Sequence, residues 1–490
     1  MSNNLLRFET TSTCKECRQF SAHCDDGQQC QPVRQKLRDY EGIRLTADGF
    51  DCALPVTIDS HSICSFGCVY CFADNLMGHY VNTATGGKQV GQTKLSSIES
   101  IFSGKPGKFA DTIREALRYD RRNAHGFPCP VQLGGICDAG DNIERQQGWL
   151  LKFIDLAITY NQPVRMSTKG NLFLLDEYLN AIRRAPHLFW VAFSIITPDD
   201  EMIRKVDIGA PTATERLQSM KRLSDIGVKT SLRFRPILPG ISDRTWRIPN
   251  AYKVLIDKAA DAGARAVSAE VAFLPLLRKP LDEKWKYLQQ ITRLPLIDIY
   301  KSFGGLQSCT RPPYQWTEEI MHRIQAETHA VGMSLGVSDP VWKQLGDFGC
   351  CCGIDPTDPI FGNWQPENCT NALIKAKHGE NSGLLRFEDI CPSWAYKVTK
   401  DNLCSGKVGP IGKASKRYDM WADALQKNWN NPTAQRSPLN YFQGALVIDH
   451  TDAHGNYVYR YVGLERQYKV PTYWKFTPQD GNKNAVTVRK

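Results

Sequence analysis

The stretch Cys64-Ser65-Phe66-Gly67-Cys68-Val69-Tyr70-Cys71 decides how this chain is read. Its cysteines are spaced C-x3-C-x2-C, and no fourth cysteine follows closely enough to close a compact knot. Structural zinc sites usually take four ligands, commonly from two C-x2-C or C-x2-H pairs. Three thiolates on one short loop suit a [4Fe–4S] cluster, each holding one iron and leaving the fourth open to a small molecule. Zinc and chance spacing are the competing readings.

Further motifs follow in order: Gly134-Gly-Ile-Cys-Asp138-Ala-Gly-Asp-Asn-Ile-Glu144, Ser167-Thr-Lys169-Gly, Phe193-Ser194-Ile-Ile-Thr197, Gly209-Ala-Pro-Thr-Ala-Thr-Glu-Arg216-Leu and Arg235-Pro-Ile-Leu-Pro-Gly240-Ile-Ser-Asp243. With the cysteine loop, the series resembles the radical S-adenosylmethionine (radical SAM) superfamily. Within it, the motifs look like the spore photoproduct lyase-like branch, often labelled DNA repair photolyase-like. The resemblance runs from about Asp51 to about Pro340. It implies an enzyme, a lyase or a modifying enzyme, whose cluster chelates SAM through the open iron. One-electron reduction then cleaves SAM to a 5′-deoxyadenosyl radical that abstracts hydrogen from a substrate. An electron donor such as flavodoxin or ferredoxin is implied as a partner.

The resemblance also assigns residues. Cys64, Cys68 and Cys71 are the cluster ligands, and Tyr70 takes the aromatic position, either against the adenine or packing the loop. Gly134 and Gly135 fall where backbone lies beside the methionine part of SAM, an approach that a missing Cβ permits. Ile136 stands where many members carry a glutamate, so amino-group recognition comes partly from elsewhere. Lys169 is placed to pair with the SAM carboxylate in a charge-assisted contact. Ser167 closes the same strand and joins the cofactor-binding set. Ser194 and Arg235 end later strands, placed to hydrogen-bond the ribose or carboxylate. Spore photoproduct lyases use a cysteine in the segment holding Cys137 as hydrogen-atom donor, a role suited to a weak S–H bond. A small, buried apolar side chain is the competing reading for Cys137.

With 490 residues, 42% hydrophobic and 23% charged, the chain is an ordinary globular protein with room for two or more units. We expect an α/β fold: a partial (β/α)6 TIM-type barrel over 51–345, between a Cys-rich segment at 1–50 and a basic aromatic domain at 346–490. Short apolar runs mark strands at Pro130–Leu133, Pro163–Ser167, Phe189–Ser194, Lys229–Arg235, Ala266–Ala272 and Met333–Val337, after a first strand ahead of Cys64. Amphipathic stretches between them mark helices at Gln147–Tyr160, Leu174–Arg184, Thr212–Ile226, Ala251–Ala262 and Thr317–Val331. Such alternation predicts parallel strands with right-handed crossovers, and chemistry on the loops at their C-terminal ends.

Outside that core, Cys14, Cys17, Cys24 and Cys30 suggest a second metal site, for zinc or an auxiliary cluster, with free thiols as the alternative. In Gly349-Cys350-Cys351-Cys352-Gly353, adjacent side chains should diverge, so that only two could share an auxiliary cluster with Cys369 or the N-terminal cysteines. The net charge is +10. Residues 391–490 carry 15 Lys and Arg against 7 Asp and Glu, together with 14 aromatic residues. That mixture suits a phosphate backbone and unstacked bases, or equally a solvated basic surface over an aromatic core. No signal-like N-terminus and no apolar run of about 18 residues is seen, which suggests a cytoplasmic protein without a membrane partner. The expected substrate is nucleic acid, for repair or base modification. A protein, peptide or small metabolite, with auxiliary clusters, is the alternative.

Overall fold

The computed structural model describes residues 38–40, 42–45, 51–54, 56–71, 73, 91–103, 125–275, 280–301, 309–355, 357–362, 364, 367–396, 420–434, 437–442 and 444–463. Cys14, Cys17, Cys24 and Cys30, and with them the expected second metal site, lie outside the described residues.

Short apolar runs become the strands of one eight-stranded sheet: β1 (Ile43–Leu45), β2 (Val56–Ile58), β3 (Val131–Leu133), β4 (Val164–Thr168), β5 (Phe189–Ser194), β6 (Lys229–Ile237), β7 (Ala264–Val271) and β8 (Ser334–Val337). They lie side by side in chain order, β2 to β8 parallel and β1 antiparallel at the edge. This is the α/β partial barrel expected from the alternation, with seven parallel strands. The eighth strand comes from the segment that precedes residue 51.

Crossover helices cover the outer face: α1 (Trp149–Thr159), α2 (Asp176–Arg183), α3 (Asp200–Val206), α4 (Ala213–Asp225), α5 (Ala251–Asp261) and α6 (Tyr314–Ala330). The start of α4 is set by a capping box in which Glu215 N–H donates to Thr212 Oγ1 (3.2 Å) and Thr212 N–H to Glu215 Oε2 (2.8 Å). Strand β5, Phe-Trp-Val-Ala-Phe-Ser, is buried along its whole length, because both faces of a parallel sheet are covered. Val191 and Phe193 join the main core, while Trp190 faces a second, inner cluster. Each fully buried Leu, Ile or Phe contributes roughly 1.5–3 kcal/mol.

Register sorts the inner side chains into rows. Gln132, Arg165, Trp190 and Lys229 form the row nearest the N-terminal ends. Ser167, Ala192, Ser231, Ala266 and Ser334 form the next. Above them lie Ser194, Arg233, Ser268 and Gly336. Small residues in the middle rows leave room, and the chain itself enters it from the N-terminal end. Ser268 Oγ donates to the Cys351 carbonyl (2.7 Å), and Arg165 Nη2 to the Cys352 carbonyl (2.9 Å). Cys352 and Ile354 pack with Leu54, Trp190, Ile360 and Phe361 at the N-terminal end. The stretch expected to open a separate C-terminal unit thus runs inside the barrel.

The remaining C-terminal chain builds a three-stranded sheet, with Tyr457–Tyr461 between Leu384–Leu385 and Leu446–Thr451. Trp421, Trp429 and Tyr459 are buried, and the last two rings meet edge-on at 4.9 Å. For these residues the aromatic-core reading holds. Buried Asp51 ties the parts together, accepting from Lys343 Nζ, from Thr370 N–H (2.9 Å) and from Tyr441 Oη (2.7 Å). Among the described residues, no helix is long and apolar enough to cross a membrane.

Candidate active site

The Cys64–Cys71 loop follows β2 at the C-terminal edge of the parallel strands. Gly67, at φ +56°, turns the chain between Cys64 and Cys68. Nearly every residue of the loop is pinned. Ser65 N–H donates to Asp141 Oδ2 (2.7 Å), Gly209 N–H to the Phe66 carbonyl (2.9 Å), and Val69 N–H to the Val206 carbonyl (2.8 Å). Cys71 N–H returns to the Cys68 carbonyl (3.1 Å). Cys68 is buried and Cys64 and Cys71 half-buried, and none is in a disulfide. Burial, then the Asp141 and Asp138 carboxylates, push the Cys64 thiol well up. Burial and Asp207 do the same to Cys68, while Lys169 pulls it down.

Tyr70 donates its hydroxyl to Asp207, and the Lys169 ammonium sits 5.2 Å from the centre of its ring. Asp207 also accepts from Arg216 Nη1 (2.7 Å) in an ion pair with both side chains fully buried. Burial opposes the charge on Asp207, but Arg216 and Lys169 outweigh it and hold the carboxyl below its ordinary value. Lys169 is likewise opposed by burial and held up by Cys68 and Asp207. The structure puts Lys169 beside the cysteine loop, with its ammonium over the ring of Tyr70.

The Gly134–Cys137 turn is organised by Asp59, at the end of β2. Its Oδ1 accepts from the N–H groups of Gly135 (2.7 Å), Ile136 (2.8 Å) and Cys137 (3.4 Å). Gly134 has φ +82°, and a Cβ there would lie 2.9 Å from the Ser167 carbonyl oxygen. The protein's own fold thus requires this glycine, whatever lies beside it. The buried Cys137 thiol is 3.4 Å from Ser60 Oγ and 3.5 Å from the His61 nitrogen. Burial, then Asp59, push it far up, so it stays protonated. Asp138 locks this turn to β4 by accepting from Thr168 Oγ1 (2.7 Å) and Lys169 N–H (2.6 Å).

Of the other expected residues, Ser167 accepts from Arg165 Nη1 and Ser194 lies 3.5 Å from Arg233 Nη1. Arg235 reaches the Cys351 carbonyl and sits 3.6 Å from Glu270. Cys350, Cys351 and Cys352 do not diverge as expected: the Cys352 thiol is within hydrogen-bonding reach of both neighbours, because the turn ending at Gly353 (φ +68°) folds the run back on itself. Cys369 is not with them; its thiol lies among Asp51, Lys343 and Asp389. Sequence reading missed Asp59, Asp141, Asp207 and Arg216 as positioning residues. Asp141 and Arg216 stand inside the quoted motifs, whereas nothing local distinguishes Asp59 or Asp207.

Residues 59–248 match the family model described as the Radical SAM superfamily. The chain carries a radical SAM domain. Two relatives, the uncharacterized proteins Rv2578c of Mycobacterium tuberculosis and Mb2609c of Mycobacterium bovis, are each 25% identical over 225 residues. The match covers 44% of this chain and spans only 58% of theirs. Among solved structures, spore photoproduct lyase complexed with dinucleoside spore photoproduct is similar at 17% identity and a TM-score of 0.43, over 62% of this chain and 81% of that one. A mutant of that lyase with the same dinucleoside gives 15% and 0.44, over 64% and 89%.

The cofactors of a radical SAM domain are a [4Fe–4S] cluster and SAM, and the residues present fit them. Among the described residues, no three Cys, His, Asp or Glu side chains gather around a point suited to one ion. Three thiols on one pinned loop, with Cys68 near both of the others and the Lys169 ammonium beside two of them, suit separate irons of one cluster.

Proposed function

We propose that this radical SAM domain abstracts hydrogen from a nucleic-acid substrate, in repair or base modification. When bound, the cluster and SAM supply the 5′-deoxyadenosyl radical. The chain's part is to hold, orient and exclude water. Cys64, Cys68 and Cys71 hold the cluster on a loop fixed by Asp141, Val206 and Gly209. Lys169 supplies the cation for the SAM carboxylate. Gly134, Gly135, Ser167 and Ser194 complete the cofactor site, with Tyr70 as its floor, while Arg235 is turned to the Cys351 carbonyl and Glu270. Cys137 is already protonated and can act as the hydrogen-atom donor. A one-electron donor such as flavodoxin or ferredoxin is required.

The observation that carries the nucleic-acid reading is Trp246. It is 64% exposed on the loop that leaves β6, at the same edge of the sheet as the cysteine loop. Arg247 lies 4.4 Å from its ring centre. Thr245, beside it, donates to Asp199 Oδ2 (2.9 Å), so the indole is offered to solvent from an anchored turn. An aromatic face next to a guanidinium is a stacking platform for an unpaired base. The test is anaerobic reconstitution with SAM and dithionite against deuterated oligonucleotide and peptide pools. We expect deuterium from the oligonucleotides in 5′-deoxyadenosine; transfer from peptides alone would overturn the substrate, and cluster-loaded protein that never cleaves SAM would overturn the activity.

A further inference from the structure

We infer that Arg165, Arg233 and Arg235 form an inner wall of the barrel that binds a phosphate group of the substrate. For the source of that phosphate the inference rests on the nucleic-acid reading above. Three guanidinium groups project into the barrel from β4 and β6, while the carboxylate that bears on them is Glu270. Arg165 and Arg235 are buried, and Arg233 is partly accessible. Burial, then the charges of Arg235 and Arg165, pull Arg233 down to about 10. A fold that crowds like charges in a poorly solvated interior normally supplies an opposite charge.

The partners present do not cancel this charge. Arg165 and Arg235 donate to the carbonyls of Cys352 and Cys351, which are neutral acceptors. The buried Nε atoms of both have no hydrogen-bond partner. Arg233 is 3.5 Å from Ser194 Oγ, at the limit of a hydrogen bond. Three cations facing one carboxylate leave an excess that a dianionic phosphate matches better than a carboxylate does, and guanidinium forks suit its oxygens. The SAM carboxylate is a poor candidate, since the cations acting on Cys68 are Lys169 and Arg216, with none of these three. The N-terminal end is closed by Leu54, Trp190, Ile354 and Phe361, so the anion enters from the edge that bears the cysteine loop.

Binding to the reconstituted full chain tests this, using inorganic phosphate, a deoxynucleoside 5′-monophosphate, the matching nucleoside and succinate. The monophosphate should bind at least about tenfold more tightly than the nucleoside, lose that advantage as salt rises, and be displaced by inorganic phosphate. Arg233→Gln should abolish the difference without lowering the ligand-free melting temperature, because it relieves like-charge crowding. Arg233→Lys, which keeps the charge but loses the fork, should retain part of it. Equal binding of nucleotide and nucleoside, an unchanged preference in Arg233→Gln, or succinate competing as well as phosphate would each overturn the inference. Formation of 5′-deoxyadenosine without nucleotide reports on the SAM reading separately, so the two can fail independently.

Discussion

The molecule holds two cysteine trios that the same residue type puts to opposite uses. Cys64, Cys68 and Cys71 lie on a rim loop whose backbone is fastened to neighbouring elements; in both trios one cysteine is buried and two are half-buried, so the difference lies in what their backbones and thiols meet. Cys350, Cys351 and Cys352 form a plug: their thiols meet one another, and two of their carbonyls receive Ser268 and the barrel arginines. In the first trio the protein satisfies the backbone and offers the sulfur. In the second it uses the backbone and satisfies the sulfur. Spacing, more than cysteine count, marks the loop prepared for a cofactor.

The contrast breaks most visibly by substitution in each trio. Cys68→Ala should lose reconstituted iron and fall to background in SAM cleavage, whereas Cys351→Ser should keep its iron; equal iron loss in both, by metal analysis, would erase the distinction. Next in size, Asp207→Asn leaves Arg216 charged and unpaired in the interior, and should cost about 3–5 kcal/mol in denaturant unfolding. A smaller effect separates the regions by pH. Glu144, behind the rim, accepts from Leu150 N–H and Tyr178 Oη (both 2.9 Å), but its Oε2 has no partner, and burial raises its pKa from 4.5 to about 7. The folded state therefore binds the extra proton, so stability is highest below the unfolded pKa and is lost as pH rises towards 7. Glu144→Gln should remove a decline of about 3 kcal/mol across that window, read from unfolding at several pH values. Smallest is Gly336→Ala, whose Cβ would fall 2.6 Å from the Cys350 carbonyl oxygen and push on the plug. A loss of roughly 1–3 kcal/mol is expected, with iron content at the rim unchanged.

Much of the barrel was legible because its signals are local. Phe189–Ser194 is an unbroken apolar run of strand length, and the structure gives it the same bounds. Thr212 and Glu215 announce the start of α4 three residues apart. Lys169 could be singled out because a motif carried it. The plug was not legible: its partners, Arg165 and Ser268, lie more than 80 positions away, and nothing within the CCC run reports a barrel interior lined by small side chains. The tryptophans of the C-terminal part posed the same difficulty, since an aromatic residue in a core and one on a binding face have the same local sequence.

Sequence alone determined the type of chemistry, because cluster ligation depends on thiols at short, fixed separations along one loop, and chain connectivity sets those. It also determined the parallel α/β plan, which follows from periodicity within each element. Only the tertiary structure decided what surrounds the site: that Asp59 ties up the glycine turn, that a buried Asp207–Arg216 pair supports Tyr70, and that three arginines meet inside the barrel. Those arrangements depend on charges brought together from distant strands and removed from water, where an ion's partners are chosen by proximity in space and not along the chain.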